Sequence, residues 1–110
     1  MDNRDNKILH SVLEEIHYLE LSVGNIKYDA FMKNETLRRA VAMTLINIGE
    51  SARLLSEEIK AKNPDIPFNE IIATRNIAAH GYQALNFNYI WDTLKTDIPD
   101  LKNKINAIVK

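Results

Sequence analysis

Along most of the chain, apolar residues return every three or four positions, the repeat of a helix that buries one face. Between Asn3 and Val23 the stripe is Ile8, Val12, Ile16, Leu19 and Val23. Gly24 follows it, a residue without a Cβ where a helix can end in a left-handed cap. The stretch Asn25–Lys33 has no clear period and is read as a loop or a frayed extension. Asn34 is an N-cap for the longest helix, in which Leu37, Val41, Leu45, Ile48, Ala52, Leu55 and Ile59 keep the rhythm to about Lys62. Gly49 interrupts this helix at a propensity cost of about 1 kcal/mol if exposed, so its expected role is to let another backbone come close.

Asn63-Pro64-Asp65-Ile66-Pro67 ends that helix, because each proline disfavours helix at the residue before it, and Pro67 suits the first turn of the next. A shorter third helix runs from Pro67 to about Ala79 with Phe68, Ile71, Ile72 and Ile77, and Gly81 marks its end. The last helix starts near Asn86 and carries Phe87, Ile90, Trp91, Leu94, Ile98, Leu101, Ile105 and Ile108. Pro99 falls inside it and predicts a kink or break near Thr96–Ile98. No stretch alternates as a strand does, and no repeat or low-complexity segment is visible. The expected architecture is all-α, an up-and-down four-helix bundle in a single domain over residues 1–110.

Composition narrows the chemistry. The chain has 110 residues, 45% of them apolar and 26% charged, with formal net charge −1 and no cysteine. That length supports one hydrophobic core without staples. The missing cysteine excludes a disulfide scaffold, a thiolate zinc site and a cysteine nucleophile. The polar opening Met1–Asn6 and the short apolar runs give neither a membrane span nor a secretory signal, so a cytoplasmic protein is expected. A charge near zero excludes a broad basic coat for nucleic acid, though not a narrow site.

Most polar residues have an ordinary reading. His10 and His17 are two turns apart, about 10 Å along one helix, too far to share a metal. Glu14 and His17 match the Glu-x-x-His spacing of di-iron bundles, but those need two such motifs and two further Glu; no metal is expected. Glu57 and Glu58 with Lys60 and Lys62 read as a solvated helix face. The unusual segment is Thr74-Arg75-Asn76-Ile77-Ala78-Ala79-His80-Gly81-Tyr82. Arg75 offers a permanent forked charge suited to phosphate oxygens, His80 a proton exchanged near neutral pH, and Tyr82 a hydroxyl just beyond the helix end. In a continuous helix Arg75 and His80 point about 140° apart, and an ending near His80 would help them converge. The residues alone leave open a capping cation beside a surface histidine, or a phosphate site. Glu50 is likewise open: a carboxylate that orients Arg75 or Asn76, or one paired with Arg53 or solvent.

Arg75-Asn76-Ile77-Ala78-Ala79-His80-Gly81-Tyr82 resembles the Arg-x4-His-x-Tyr signature of HepT-like proteins in the HEPN superfamily. The resemblance extends over nearly the whole chain. It includes Ile48-Gly49-Glu50-Ser51-Ala52-Arg53-Leu54-Leu55-Ser56, Pro64-Asp65-Ile66-Pro67-Phe68, and the last helix with Trp91 and Ile98-Pro99-Asp100-Leu101. Phe68 departs from the pattern, where Trp is common, and either residue would serve as a packing anchor.

The resemblance implies a helical homodimer in which two copies of the motif meet at one cleft, and a metal-independent endoribonuclease that needs no cofactor. It implies Arg75 and His80 as the catalytic pair, Asn76 as a supporting polar residue and Tyr82 as a modification site. HepT-like members are toxins paired with a minimal nucleotidyltransferase antitoxin that transfers AMP to that tyrosine. Two alternatives stand beside this one. One is a non-catalytic module that binds nucleotide or nucleotidyltransferase, keeping Arg75 for phosphate while His80 moves no proton. The other is a dimeric scaffold whose motif only caps a helix.

Overall fold

The computed structural model describes residues 2–110, and no strand occurs among them. Helix α1 spans Asn3–Val23; Asp2 caps it by accepting from the Asp5 amide at 2.7 Å, and Gly24 closes it at φ 53°. Helix α3, Glu35–Leu54, begins as the sequence predicts, with the Asn34 side chain accepting from the Leu37 amide at 2.9 Å. Helix α5 covers Phe68–Ala79. These three stand side by side, with α3 in the middle, and the C-terminal helical run returns to α1. Leu9, Ile16, Phe31, Ile48, Ile90 and Ile105 are fully buried where they meet, and one apolar cluster runs through all of these elements. The all-α bundle expected from the periodicity is the observed fold.

Two local expectations need correction, and a third, the disruption before Pro99, is met. The segment Asn25–Lys33 contains a short helix, α2, over Tyr28–Lys33. Its single buried side chain, Phe31, packs against Trp91 with ring centroids 5.2 Å apart and against Phe87 at 6.3 Å. One buried residue gives no period to read, which is why the pattern showed none.

The long helix expected from Asn34 to Lys62 is two. Leu55 and Ser56 are extended (φ −67°, ψ 149° and φ −66°, ψ 153°), and α4 restarts at Glu57–Lys62 with Ser56 as its N-cap. The break is fixed from outside. The buried Asp5 carboxylate accepts from the Ser56 amide at 3.0 Å and from its hydroxyl at 2.5 Å, tying the start of α1 to the α3–α4 corner. Burial pushes the Asp5 carboxyl up, but the two Ser56 hydrogen bonds, helped by Arg4, outweigh it and hold the group below its usual range. The tie is therefore fully formed above the unfolded pKa of about 3.9 and is lost as pH falls through the lower folded value. Asp5→Ala is expected to cost about 2 kcal/mol, since it leaves two donors at a buried corner without their charged acceptor. Denaturant melts at pH 7 and pH 3 check this: the deficit should be large at pH 7 and shrink in acid.

The last helix also divides. Helix α6, Phe87–Asp92, passes through a wide π-helical turn at Thr93–Asp97 into α7, Ile98–Asn106, with Pro99 in its first positions. Proline has no amide to donate back to residue 95 and its ring crowds that carbonyl, so the backbone opens one turn earlier. Phe68 is buried, filling the anchor position where the resemblance expected Trp.

Candidate active site

Helix α5 can lie close to α3 because residue 49 has no side chain. A Cβ on Gly49 would stand 2.1 Å from Arg75 Cβ, 2.8 Å from Arg75 Cγ and 3.1 Å from the Ile71 carbonyl. The close approach expected for Gly49 is thus aimed at Arg75. It brings the Arg75 guanidinium beside the next residue of α3, Glu50, with Nε 3.1 Å from Oε2. Those two atoms are buried and lack an aligned hydrogen bond, so the contact is one of charge. Arg75 Nη1 donates to Asn76 Oδ1 at 3.0 Å. Glu50 also accepts from Arg53 on its other oxygen. The Arg53 hydrogen bond, with the nearby Arg75 charge adding to it, holds the Glu50 carboxyl below the usual range against the opposing effect of desolvation. Both readings of Glu50 are therefore met together: it orients Arg75 and it pairs with Arg53.

His80 is the C-cap of α5, still in right-handed helical conformation, and its side chain is exposed. Among the described residues it makes no side-chain hydrogen bond or ion pair. Helix α5 ends at Ala79, and its last turn tightens, with the His80 amide donating to the Ile77 carbonyl and the Gly81 amide to the Ala78 carbonyl, both at 3.1 Å. Gly81 then takes φ 137°, a conformation that side chains rarely adopt, and swings the chain off α5 into a 3-10 turn over Tyr82–Ala84. That turn carries Tyr82 to the beginning of α3, where its Oη accepts from Arg38 Nε at 3.0 Å. The Arg39 guanidinium lies 4.5 Å from the Tyr82 ring centroid, and the Phe87 ring packs at 5.0 Å.

The site residues thus occupy one end of α5 in two groups: Arg75 with Asn76 and Glu50, and Tyr82 with Arg38 and Arg39, while His80 projects alone from the segment between them. Arg38 and Arg39 were not foreseen. The signal was faint: two consecutive cations near the positive end of α3, a place where the helix dipole disfavours them. Among the described residues no three His, Cys, Asp or Glu side chains are grouped to hold a metal ion, and no helix is long and apolar enough to cross a membrane.

An all-α bundle whose helix α5 runs out into the segment from Arg75 to Tyr82 is the build that the resemblance to HepT-like proteins implies. A family model described as "Ribonuclease HepT-like" matches residues 12–108, and the chain belongs to that ribonuclease family. It is similar to "Putative RNase MJ1380" of Methanocaldococcus jannaschii, 30% identical over 98% of this chain and all of the relative. It is also similar to "Probable ribonuclease HepT" of Thermococcus cleftensis, 29% identical over 93% of each chain. No solved structure gives a significant match.

Proposed function

We propose that the chain is a metal-independent endoribonuclease, acting as a homodimer with Arg75 and His80 as its catalytic pair, and the toxin of a pair silenced by AMP transfer to Tyr82. The observation that carries this reading is the exposed, unpartnered His80 on the same helix end as an Arg75 held in place by Glu50 and Asn76. RNA brings its own nucleophile. The ribose 2′-oxygen attacks the adjacent phosphorus, the bond to the 5′-oxygen breaks, the 2′ proton goes to a base and the leaving oxygen gains one. His80 serves that proton traffic. Arg75 meets the charge that grows on the phosphoryl oxygens, and its fixed geometry means that no reorganisation is needed at that moment. Products are a 2′,3′-cyclic phosphate and a 5′-hydroxyl.

Met43 and Leu54 lie on the α3 stripe that also carries Glu50, and Ile77 lies on α5; all three are exposed apolar side chains beside the site. A second copy covering them would bring its own Arg75 and His80 into the same cleft. The net charge of −1 fits a small local site acting on cytoplasmic RNA better than long-range capture.

The nuclease reading is tested by incubating the purified protein with RNA in EDTA. Cleavage by the wild type that is lost in His80→Ala supports it, and absence of cleavage leaves the binding-module reading. The silencing reading is tested by intact mass after co-expression with a minimal nucleotidyltransferase. The expected result is one or more added AMP masses, abolished in Tyr82→Phe, with cleavage falling as the modified fraction rises. An unchanged mass contradicts it.

A further inference from the structure

Tyr82 sits between two guanidinium groups supplied by consecutive residues of α3, an environment richer than an acceptor hydroxyl on a surface requires. The two arginines are held differently. Arg38 is half-buried; besides donating from Nε to Tyr82 Oη at 3.0 Å, its Nη1 donates to the main-chain carbonyls of Phe31, at 3.0 Å, and Met32. The end of α2 therefore locks the Arg38 fork, and that fork locks the Tyr82 hydroxyl. Arg39 is exposed and lies over the ring, 4.5 Å from its centroid. Its Nε meets the Glu35 carboxylate at 3.5 Å, a pair in which both side chains are more than half exposed. Among the described residues its two Nη groups have no acceptor, and an exposed ion pair of that kind yields readily to a better anion.

We propose that Arg38 and Arg39 form a phosphate cradle around Tyr82: Arg38 positions the hydroxyl, and Arg39 takes the oxygens of a phosphoryl group carried on it. The proposal rests on Tyr82 as the modified residue and adds how the group is received and kept. In the transfer, Tyr82 Oη attacks the α-phosphorus of a nucleoside triphosphate. The Oη–phosphorus bond forms, the bond to pyrophosphate breaks, and the phenolic proton leaves to the transferase or to water. Arg38 occupies one lone pair of Oη and leaves the other to meet phosphorus. The product is a phosphodiester bearing one negative charge, within reach of the free fork of Arg39, which binds such oxygens two at a time. The nucleotide is then pinned over the end of α5, two residues from His80, instead of swinging in solvent. That pinning is what makes a single modification an effective block.

Two measurements on the full chain test the cradle. The first needs no transferase: phosphotyrosine is incorporated genetically at position 82 and its second ionisation is followed by ³¹P NMR. Free phosphotyrosine ionises near 6. In the folded chain the value should be lower by ~1 unit, and Arg39→Gln should return it toward the free value, whereas Arg4→Gln should not. A wild-type value equal to that of the free amino acid overturns the proposal.

The second measurement is the initial rate of AMP addition by a minimal nucleotidyltransferase with ATP and magnesium. Arg39→Gln should lower the maximal rate about tenfold or more with little change in KM for ATP, since the triphosphate is bound by the transferase. If the wild type gains no mass, the silencing reading fails while the NMR result still judges the cradle. If Arg39→Gln is modified at the wild-type rate but cleaves RNA more slowly, the arginines serve the RNA backbone, and the assignment to Tyr82 is overturned.

Discussion

His80→Ala is expected to lower RNA cleavage by about 10²–10⁴, the contribution of a well-placed general acid–base group, while leaving the melting curve unchanged. The separation of the two effects follows from the surroundings of the side chain. His80 is exposed and makes no side-chain hydrogen bond or ion pair among the described residues, so its removal takes nothing from the fold. The loss should appear in kcat, because proton transfer matters only as the phosphoryl bonds change. Arg75→Ala should show a loss of similar order, roughly 10²–10³, as the group facing the developing phosphoryl charge is removed. It also removes the charge facing Glu50 Oε2, so a small change in stability is expected there and not at His80. The double variant should be little worse than the poorer single one, since the two groups serve one transition state. Single-turnover cleavage in EDTA, run beside thermal melts, checks all three; a His80→Ala protein that cleaves at the wild-type rate removes His80 from the mechanism.

The largest effect on stability is expected from one of the smallest changes, Gly49→Ala. The added methyl would stand 2.1 Å from Arg75 Cβ and 3.1 Å from the Ile71 carbonyl, a contact with the base of a side chain and with backbone, neither of which can turn away. Relief requires α3 and α5 to part along the most extensive helix pair of the bundle. Overpacking of this kind costs about 1–3 kcal/mol, and the upper end is expected here, outweighing the gain of about 1 kcal/mol from helix propensity. At this chain length ~2 kcal/mol lowers the melting temperature by roughly 8 °C or more. Thr36→Ala, at an exposed position on the same helix, should change it little. Combining Gly49→Ala with Arg75→Gly removes the two closest contacts, so the pair should be less destabilised than the sum of the single changes. A Gly49→Ala protein as stable as the wild type would show that the helices do not meet as closely as described. Because the clash falls on Arg75, cleavage should drop along with stability.

How much of this was legible in the sequence depended on the distance over which each feature is determined. The α1 stripe, the Asn34 cap, the approach at Gly49 and the disruption before Pro99 are written in residues a few positions apart, and each stands where the pattern put it. The break at Leu55–Ser56 was hidden for a physical reason. Leu55 and Ile59 are both buried, so the three- and four-residue rhythm runs through the break unchanged. What bends the chain there is Asp5, 51 residues away, and only Ser56 followed by two glutamates hinted locally at a new cap. The site divides along the same line. Arg75, Asn76, His80 and Tyr82 were visible because they share one short segment. Arg38 and Arg39 were not, because Arg38 reaches Tyr82 across 44 residues, with Arg39 beside it, through the swing that Gly81 permits.

Whether RNA is cut by attack of its own ribose hydroxyl, with Arg75 and His80 and no metal, is decided by the ends of the product. A short RNA is incubated with the wild-type protein in EDTA, the cut is mapped, and the same RNA is remade with a single 2′-deoxynucleotide on the 5′ side of that cut. The first RNA should give a 2′,3′-cyclic phosphate facing a 5′-hydroxyl, and the second should not be cleaved at that bond. A 5′-phosphate at the cut, or undiminished cleavage beside the deoxynucleotide, would contradict it.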